Sequence, residues 1–168
     1  MEMEWHVTMA VTRKATTGDL KSIQTIASKS WNDTYEGLIP EDIQSRFLSE
    51  AYSDKMMPVR LEKTLLLVAE QGGELVGFAN GREKEGAAYL HAIYLLPEVK
   101  GSGIGTQLLE HLIAELGPVH EIHVEVEKGN KSGETFYAAK GFKEIEVFEE
   151  DLYGHTLTTR KMVLSVSE

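Results

Sequence analysis

The chain has 168 residues, 42% of them apolar and 26% charged, with a net charge of −10 and no cysteine. That length suits one domain, since domains usually hold roughly 100–200 residues, so a single unit over residues 1–168 is expected. The missing cysteine excludes disulfides, thiolate nucleophiles and cysteine-held metals. The acidic balance, without any Lys/Arg cluster, speaks against nucleic acid, whose phosphates need a basic face.

In chain order, Met1 to Arg13 opens with Glu2 and Glu4 in place of a basic, apolar leader, so no secretory signal is expected. Val7 to Ala15 reads as a first strand. Thr16 with Asp19 makes a capping-box-like helix start, and Leu20, Ile23, Ile26, Ala27 and Trp31 follow at helical spacing. Pro40 opens a second short helix carrying Ile43, Phe47 and Leu48. Leu65 to Glu70, Gly72-Gly73 and Leu75 to Gly81 form a hairpin signal. Its apolar run, Leu65 to Ala69, is far below the roughly 18 residues that span a bilayer, which predicts no membrane partner and a cytoplasmic address. Ala88 to Leu95 reads as a central strand, apolar on both faces, stopped by Pro97.

A helical stripe then runs through Ile104, Leu108, Leu109, Leu112, Ile113 and Leu116 to the stop at Gly117-Pro118. Ile122, Val124 and Val126 alternate with His123, Glu125 and Glu127 as a half-buried strand. A short helix covers about Lys131 to Lys140, and Phe142 to Phe148 and Leu157 to Val166 close the chain as strands. This order argues for a mixed sheet with helices on its faces, an α/β architecture.

The strongest chemical signal is Lys100-Gly101-Ser102-Gly103-Ile104-Gly105-Thr106, a glycine-rich loop between a strand and a helix. Glycines let backbone N–H groups approach an anion, and a helix N-terminus adds its own free amides. The dinucleotide fingerprint fails, because its third glycine would fall on Thr106 or Leu108; the Walker A pattern fails because Asn130, not glycine, precedes Lys131-Ser132. Leu95 to Gly105 resembles motif A of the GNAT N-acetyltransferases, and Asn130, Gly133, Phe136-Tyr137 and Lys140-Gly141-Phe142 resemble their motif B. The two motifs occur in family order and span about a third of the chain, from Ala88 to Phe142.

The resemblance implies a mixed, mostly antiparallel sheet of about six to seven strands flanked by helices, and acetyl-CoA as cofactor. It implies that Lys100 to Thr106 hold the diphosphate, with Lys100 replacing the family's usual Arg or Gln. Backbone groups around Ile93, Tyr94 and Leu95 would pair with pantetheine, with Asn130 beside it or capping a helix. Tyr137 would be the general acid, being protonated at neutral pH.

The base stays open. The family often carries Glu where this chain has Tyr89; His91, Glu83, Glu85 or a water chain are candidates. Glu121, His123 and Glu125 share a strand face that reads as solvated, so no metal is expected. Trp31 and Tyr35 either complete a helix stripe or, as in the family, border the acceptor.

The stretch from Trp31 to Pro40 is similar to that of GNAT proteins that include bacterial spermidine/spermine acetyltransferases. Asp33, Glu36, Glu41, Asp42 and the acids of Glu144 to Asp151 would suit a polyamine. A protein N-terminus or lysine, an amino-acid-like amine, and a non-catalytic acyl-CoA sensor are the alternatives. Dimers are common in the family, so a homodimer is a possible assembly.

Overall fold

Strand-forming runs punctuated by glycine pairs give seven β-strands in the computed structural model, which describes residues 10–166. They are β1 (Val11–Lys14), β2 (Leu65–Gln71), β3 (Glu74–Lys84), β4 (Ala87–Leu95), β5 (Glu121–Glu127), β6 (Lys143–Leu152) and β7 (His155–Ser165). Five helices accompany them: α1 (Leu20–Tyr35), α2 (Glu41–Ala51), α3 (Met56–Lys63), α4 (Ile104–Leu116) and α5 (Lys131–Ala139). The strand order is β1-β2-β3-β4-β5-β7-β6. All neighbours are antiparallel except β4 and β5, which run parallel because α4 crosses over between them.

The sheet buries both faces, and period-two alternation sorts its side chains between them. On one face Ile104, Leu108 and Leu112 of α4 pack on Leu67, Ala79, Leu90 and Ile122. On the other, Ile23, Ile26 and Ala27 of α1 pack on Leu66, Val68, Phe78 and Ala92. Six of these (Leu67, Ala79, Ile104, Leu108, Leu112 and Ile122) are fully buried on the α4 side, which makes that helix the main clamp on the crossover. Gly72 and Gly73 turn the β2–β3 hairpin with φ of 61° and 84°, the conformation a two-residue turn demands.

Several expectations need correction. The first strand is shorter than Val7 to Ala15, starting at Val11; Val7, Thr8 and Met9 lie outside the described residues. The helix α3 has no counterpart in the sequence reading. Only Met57 is buried on it, while Met56 and Val59 are exposed, so no apolar stripe announces it. Polar bonds hold it instead: Arg60 donates to Asn80 Oδ1 at 2.7 Å and to the Ala51 carbonyl at 2.8 Å, and its guanidinium lies 4.2 Å over Tyr52. The closing hairpin is also longer, because Tyr153 and Gly154 turn it with φ of 51° and 88°. Its distal half is charged and hides the strand pattern. Finally, β4 is not apolar on both faces, since His91 is exposed on a wall that no strand covers.

Candidate active site

The wall is uncovered because β4 and β5 part. They pair only over Ala87–Glu121, Ala88–Ile122 and Tyr89–His123. Beyond Tyr89, β4 stays bonded to β3 as far as Leu95, and β5 stays bonded to β7 as far as Glu127. The wedge between them is a cleft of about 590 Å³. Tyr89, His91, Ile93, Tyr94 and Leu95 line it from β4, and His123, Glu125 and Glu127 from β5. Trp31 and Tyr35 reach it from α1, Phe136 and Tyr137 from α5, and Lys100, Gly101 and Gly105 from the glycine loop.

The loop leaves its backbone open. Gly101 and Gly103 sit at φ of 81° and 91°, and nothing lies within 4 Å of where a Cβ would stand on either. Gly103 precedes the first residue of α4, so the unpaired N–H groups of the first helical turn open beside it. Ser102, Gly103, Ile104 and Thr106 form the rest of the loop and the first turn but do not line the cleft; Ile104 is fully buried as the anchor. Gly105 has a packing role: a Cβ there would come 3.3 Å from Phe136 of α5. Open backbone beside a helix start fits a diphosphate, so the residues present suit the expected cofactor. Lys100 is engaged elsewhere, however, pairing with Asp33 of α1 at 2.9 Å. This exposed pair is worth little and does not lock the lysine.

Across the cleft, Asn130 Oδ1 accepts from the Gly133 N–H at 3.0 Å and caps α5, as its position suggests. Tyr137 is buried on that helix, its ring 5.0 Å from Phe136 and 5.2 Å from Phe142, both edge-on. Burial, and then the charge of Glu127, hold its phenol pKa well above the ordinary value, so it carries its proton at neutral pH. Both aromatics of the Phe136-Tyr137 pair line the cleft, and both also pack with the core on the α4 side.

Trp31 and Tyr35 complete the stripe of α1, packing with Phe47, and they also line the cleft. The Tyr35 hydroxyl donates to Glu127 Oε1 at 2.5 Å. Sequence reasoning missed Glu127 as a site residue. Its alternation with Val126 put it opposite the core, and that side was read as solvent. On the face of Glu121, His123 and Glu125, the two glutamates are exposed as expected, but His123 is largely buried and stacks on Tyr89 at 4.8 Å, and His123 and Glu125 line the cleft.

Other candidates fall away. Glu83 accepts from the Gly86 N–H at 2.9 Å in the β3–β4 turn, where Glu85 also lies, and neither lines the cleft. His91 does line it; although its side chain is solvent-exposed at the mouth of the cleft, partial desolvation there, with Arg82 and Arg60, lowers its pKa. Asp33, Glu36 and Glu41 line a separate concavity by Pro40, so they are not the acids of the main cleft. Those are Glu125, Glu127 and Glu150.

A mixed sheet opened between two parallel strands, with an open glycine loop on one side and a protonated phenol on the other, fits a transferase of CoA-bound acyl groups. The chain belongs to the acetyltransferase (GNAT) family, whose family model matches residues 30–142. It is thus an N-acetyltransferase that uses acetyl-CoA. It is similar to the spermidine N(1)-acetyltransferase of Thermoplasma acidophilum, 29% identical over 140 residues, covering 78% of this chain and 86% of that one. It is also similar to the 5-NmdU N-acetyltransferase of Pseudomonas phage PaMx11, 32% identical over 137 residues, covering 80% and 87%. Among solved structures, the PaiA N-acetyltransferase of Thermoplasma acidophilum in complex with coenzyme A superposes with a TM-score of 0.77 at 28% identity, over 92% of this chain and 99% of that one.

Proposed function

We propose that this chain acetylates a primary amine by direct transfer in a ternary complex, and that the acceptor is a polyamine. The observation that carries this reading is one cleft lined by Gly101 and Gly105 of the loop, by Tyr137, and by the carboxylates Glu125, Glu127 and Glu150. With no cysteine in the chain, no thiol relays the acetyl group, which favours direct attack.

Acetyl-CoA supplies the thioester, an acyl group already activated toward an amine. The backbone of Gly101 to Thr106 binds its diphosphate through N–H groups, and Lys100 adds charge by leaving Asp33. The edge of β4 past Tyr89, around Ile93, Tyr94 and Leu95, has lost β5 as a partner and offers backbone groups to pantetheine. Asn130 holds α5 in place beside it. Tyr137 gives its proton to the departing sulfur. Trp31, Tyr35 and His91 border the acceptor, and the three carboxylates attract its positive charge.

The spermidine relative supports a polyamine, whereas the phage relative acts on a different amine. The deciding experiment measures thiol release from acetyl-CoA with spermidine, a monoamine, an amino acid and a peptide with a free N-terminus. Spermidine turning over best supports the reading, and a better rival replaces the acceptor. Tight acetyl-CoA binding with no turnover identifies an acyl-CoA binder instead.

A further inference from the structure

We propose that Glu127 is the catalytic base: its carboxylate takes the proton that the acceptor ammonium must lose before its nitrogen can attack. This deepens the acetyltransferase reading above and rests on it. Glu127 ends β5, at the point where the wedge has separated it from β4, and it faces the cleft that Tyr137 also lines. Its Oε1 accepts the Tyr35 hydroxyl at 2.5 Å, and Tyr35 is 2% exposed and packed on Trp31, so the carboxylate is aimed rather than free to swing.

The other carboxylates and histidines have different surroundings. Glu134 and Glu144 pair with Arg160, Glu150 accepts from Thr159, and Glu125 is exposed to solvent beside Lys161, whereas Glu127 is held by a buried tyrosine. His91 stands near Arg82 and Arg60, which repel an ammonium. His123 bonds Glu121 through Nε2, and its Nδ1 is sealed from solvent. No Lys, Arg or His pairs with Glu127 among the described residues, so an incoming ammonium meets an uncompensated carboxylate.

The protons balance. The ammonium gives one proton to Glu127 and keeps the electron pair on nitrogen. The C–N bond forms as the C–S bond breaks, and sulfur takes the Tyr137 proton. The second N–H proton restores Tyr137, and the Glu127 proton passes to solvent. Ammonium and thioester thus become amide, thiol and one proton.

The surroundings suit the role. Burial raises the Glu127 pKa, the Tyr35 hydrogen bond partly offsets that, and Glu150 of β6 and Glu125 of its own strand raise it further. Tyr94 of β4 and Tyr137 of α5 face it as neutral phenols, and Thr159 opposite it on β7 is uncharged. A carboxylate raised toward neutrality is a better base than an ordinary one.

Two measurements test this. The first is kcat/KM against pH, at saturating acetyl-CoA, with the best amine of the panel. Wild type should show an acidic limb. Glu127→Gln should fall by about 10²–10⁴-fold and lose that limb, its rate then following the ionisation of the amine. Tyr35→Phe removes the bond that favours the carboxylate, so it should keep the limb and move it to higher pH. The second is a carbon-13 titration of the glutamate carboxyls in the unliganded protein. The Glu127 signal, assigned by its loss in Glu127→Gln, should titrate above ordinary glutamates, and higher still in Tyr35→Phe. A Glu127→Gln enzyme with the wild-type limb, one with raised KM alone, or a Glu127 signal titrating at the ordinary value would overturn the assignment while leaving the acetyltransferase reading intact. A wild type that turns over no amine overturns both.

Discussion

Replacing Asn130 with alanine removes the N-cap of α5, the helix that carries Tyr137. The bond lost is the 3.0 Å contact from the Gly133 N–H to Asn130 Oδ1, which leaves one first-turn amide without a protein acceptor. Cap removal of this kind costs about 1 kcal/mol. For a protein of this size that lowers Tm by about 2–4 °C. The same geometry predicts a coupling. A Cβ on Gly133 would stand 2.7 Å from Asn130 Nδ2, so Gly133→Ala alone pushes the cap away. Once Asn130 is alanine the obstruction is gone, and the alanine at 133 gains its helix propensity, up to about 1 kcal/mol over glycine. The double variant should therefore melt above Asn130→Ala, while Gly133→Ala alone should melt no higher than wild type. Asn130→Asp keeps an acceptor and should melt near wild type. Thermal unfolding by circular dichroism reads all four. Asn130→Ala melting with wild type, or a double variant no more stable than the single, would refute the capping argument.

Gly103→Val should fold yet lose acetyl-CoA binding, since its φ of 91° disfavours a branched residue and the side chain would fill the open space at the loop; calorimetric titration with acetyl-CoA checks it, and wild-type affinity in a folded variant removes the loop from the cofactor site. Tyr137→Phe should lower kcat by roughly 10²–10⁴-fold with acetyl-CoA affinity little changed, because only the hydroxyl is lost; steady-state thiol release reads it, and wild-type turnover would mean that sulfur leaves without this proton. Asp19, hydrogen-bonded by Arg13 and the Thr16 N–H, has its pKa lowered to about 2. A depressed carboxyl stabilises the fold above its unfolded pKa and stops doing so as pH falls through the folded value. Asp19→Asn should thus cost about 1–2 kcal/mol at pH 7, with the difference fading toward pH 2 in urea titrations.

Fold elements whose signal lies in side-chain period or in glycine punctuation were legible in the sequence. The α4 stripe from Ile104 to Leu116, the Gly72-Gly73 hairpin and the alternation of β5 each bury what their pattern implies. Elements held by polar or long-range contacts were not. The helix α3 hangs on Arg60, whose partners Asn80 and Ala51 lie 20 and 9 residues away, and no local pattern encodes such bonds. Asp19 was legible as a cap residue, but its ion pair with Arg13 of β1 was not.

The same distinction divides the candidate site. An anion met by backbone favours glycines close together in the chain, and Gly101 and Gly103 stand two residues apart. A base for an amine is a side chain whose environment makes it a base, and that environment is assembled from distant segments. Tyr35 and Glu127 are 92 residues apart, yet one hydrogen bond joins them. Strand alternation correctly sets Glu127, Glu125 and His123 opposite Val126, Val124 and Ile122. It cannot tell whether the opposite side is water or a cleft, because that depends on where β4 and β5 stop pairing. They stop at Tyr89 and His123, four residues before Glu127. Had the pairing continued, the backbone of Glu127 would be flanked by β4 and no wedge would open beside its side chain. The parting makes its carboxylate a cleft residue, and the packing of α1 across that opening supplies Tyr35 to hold it.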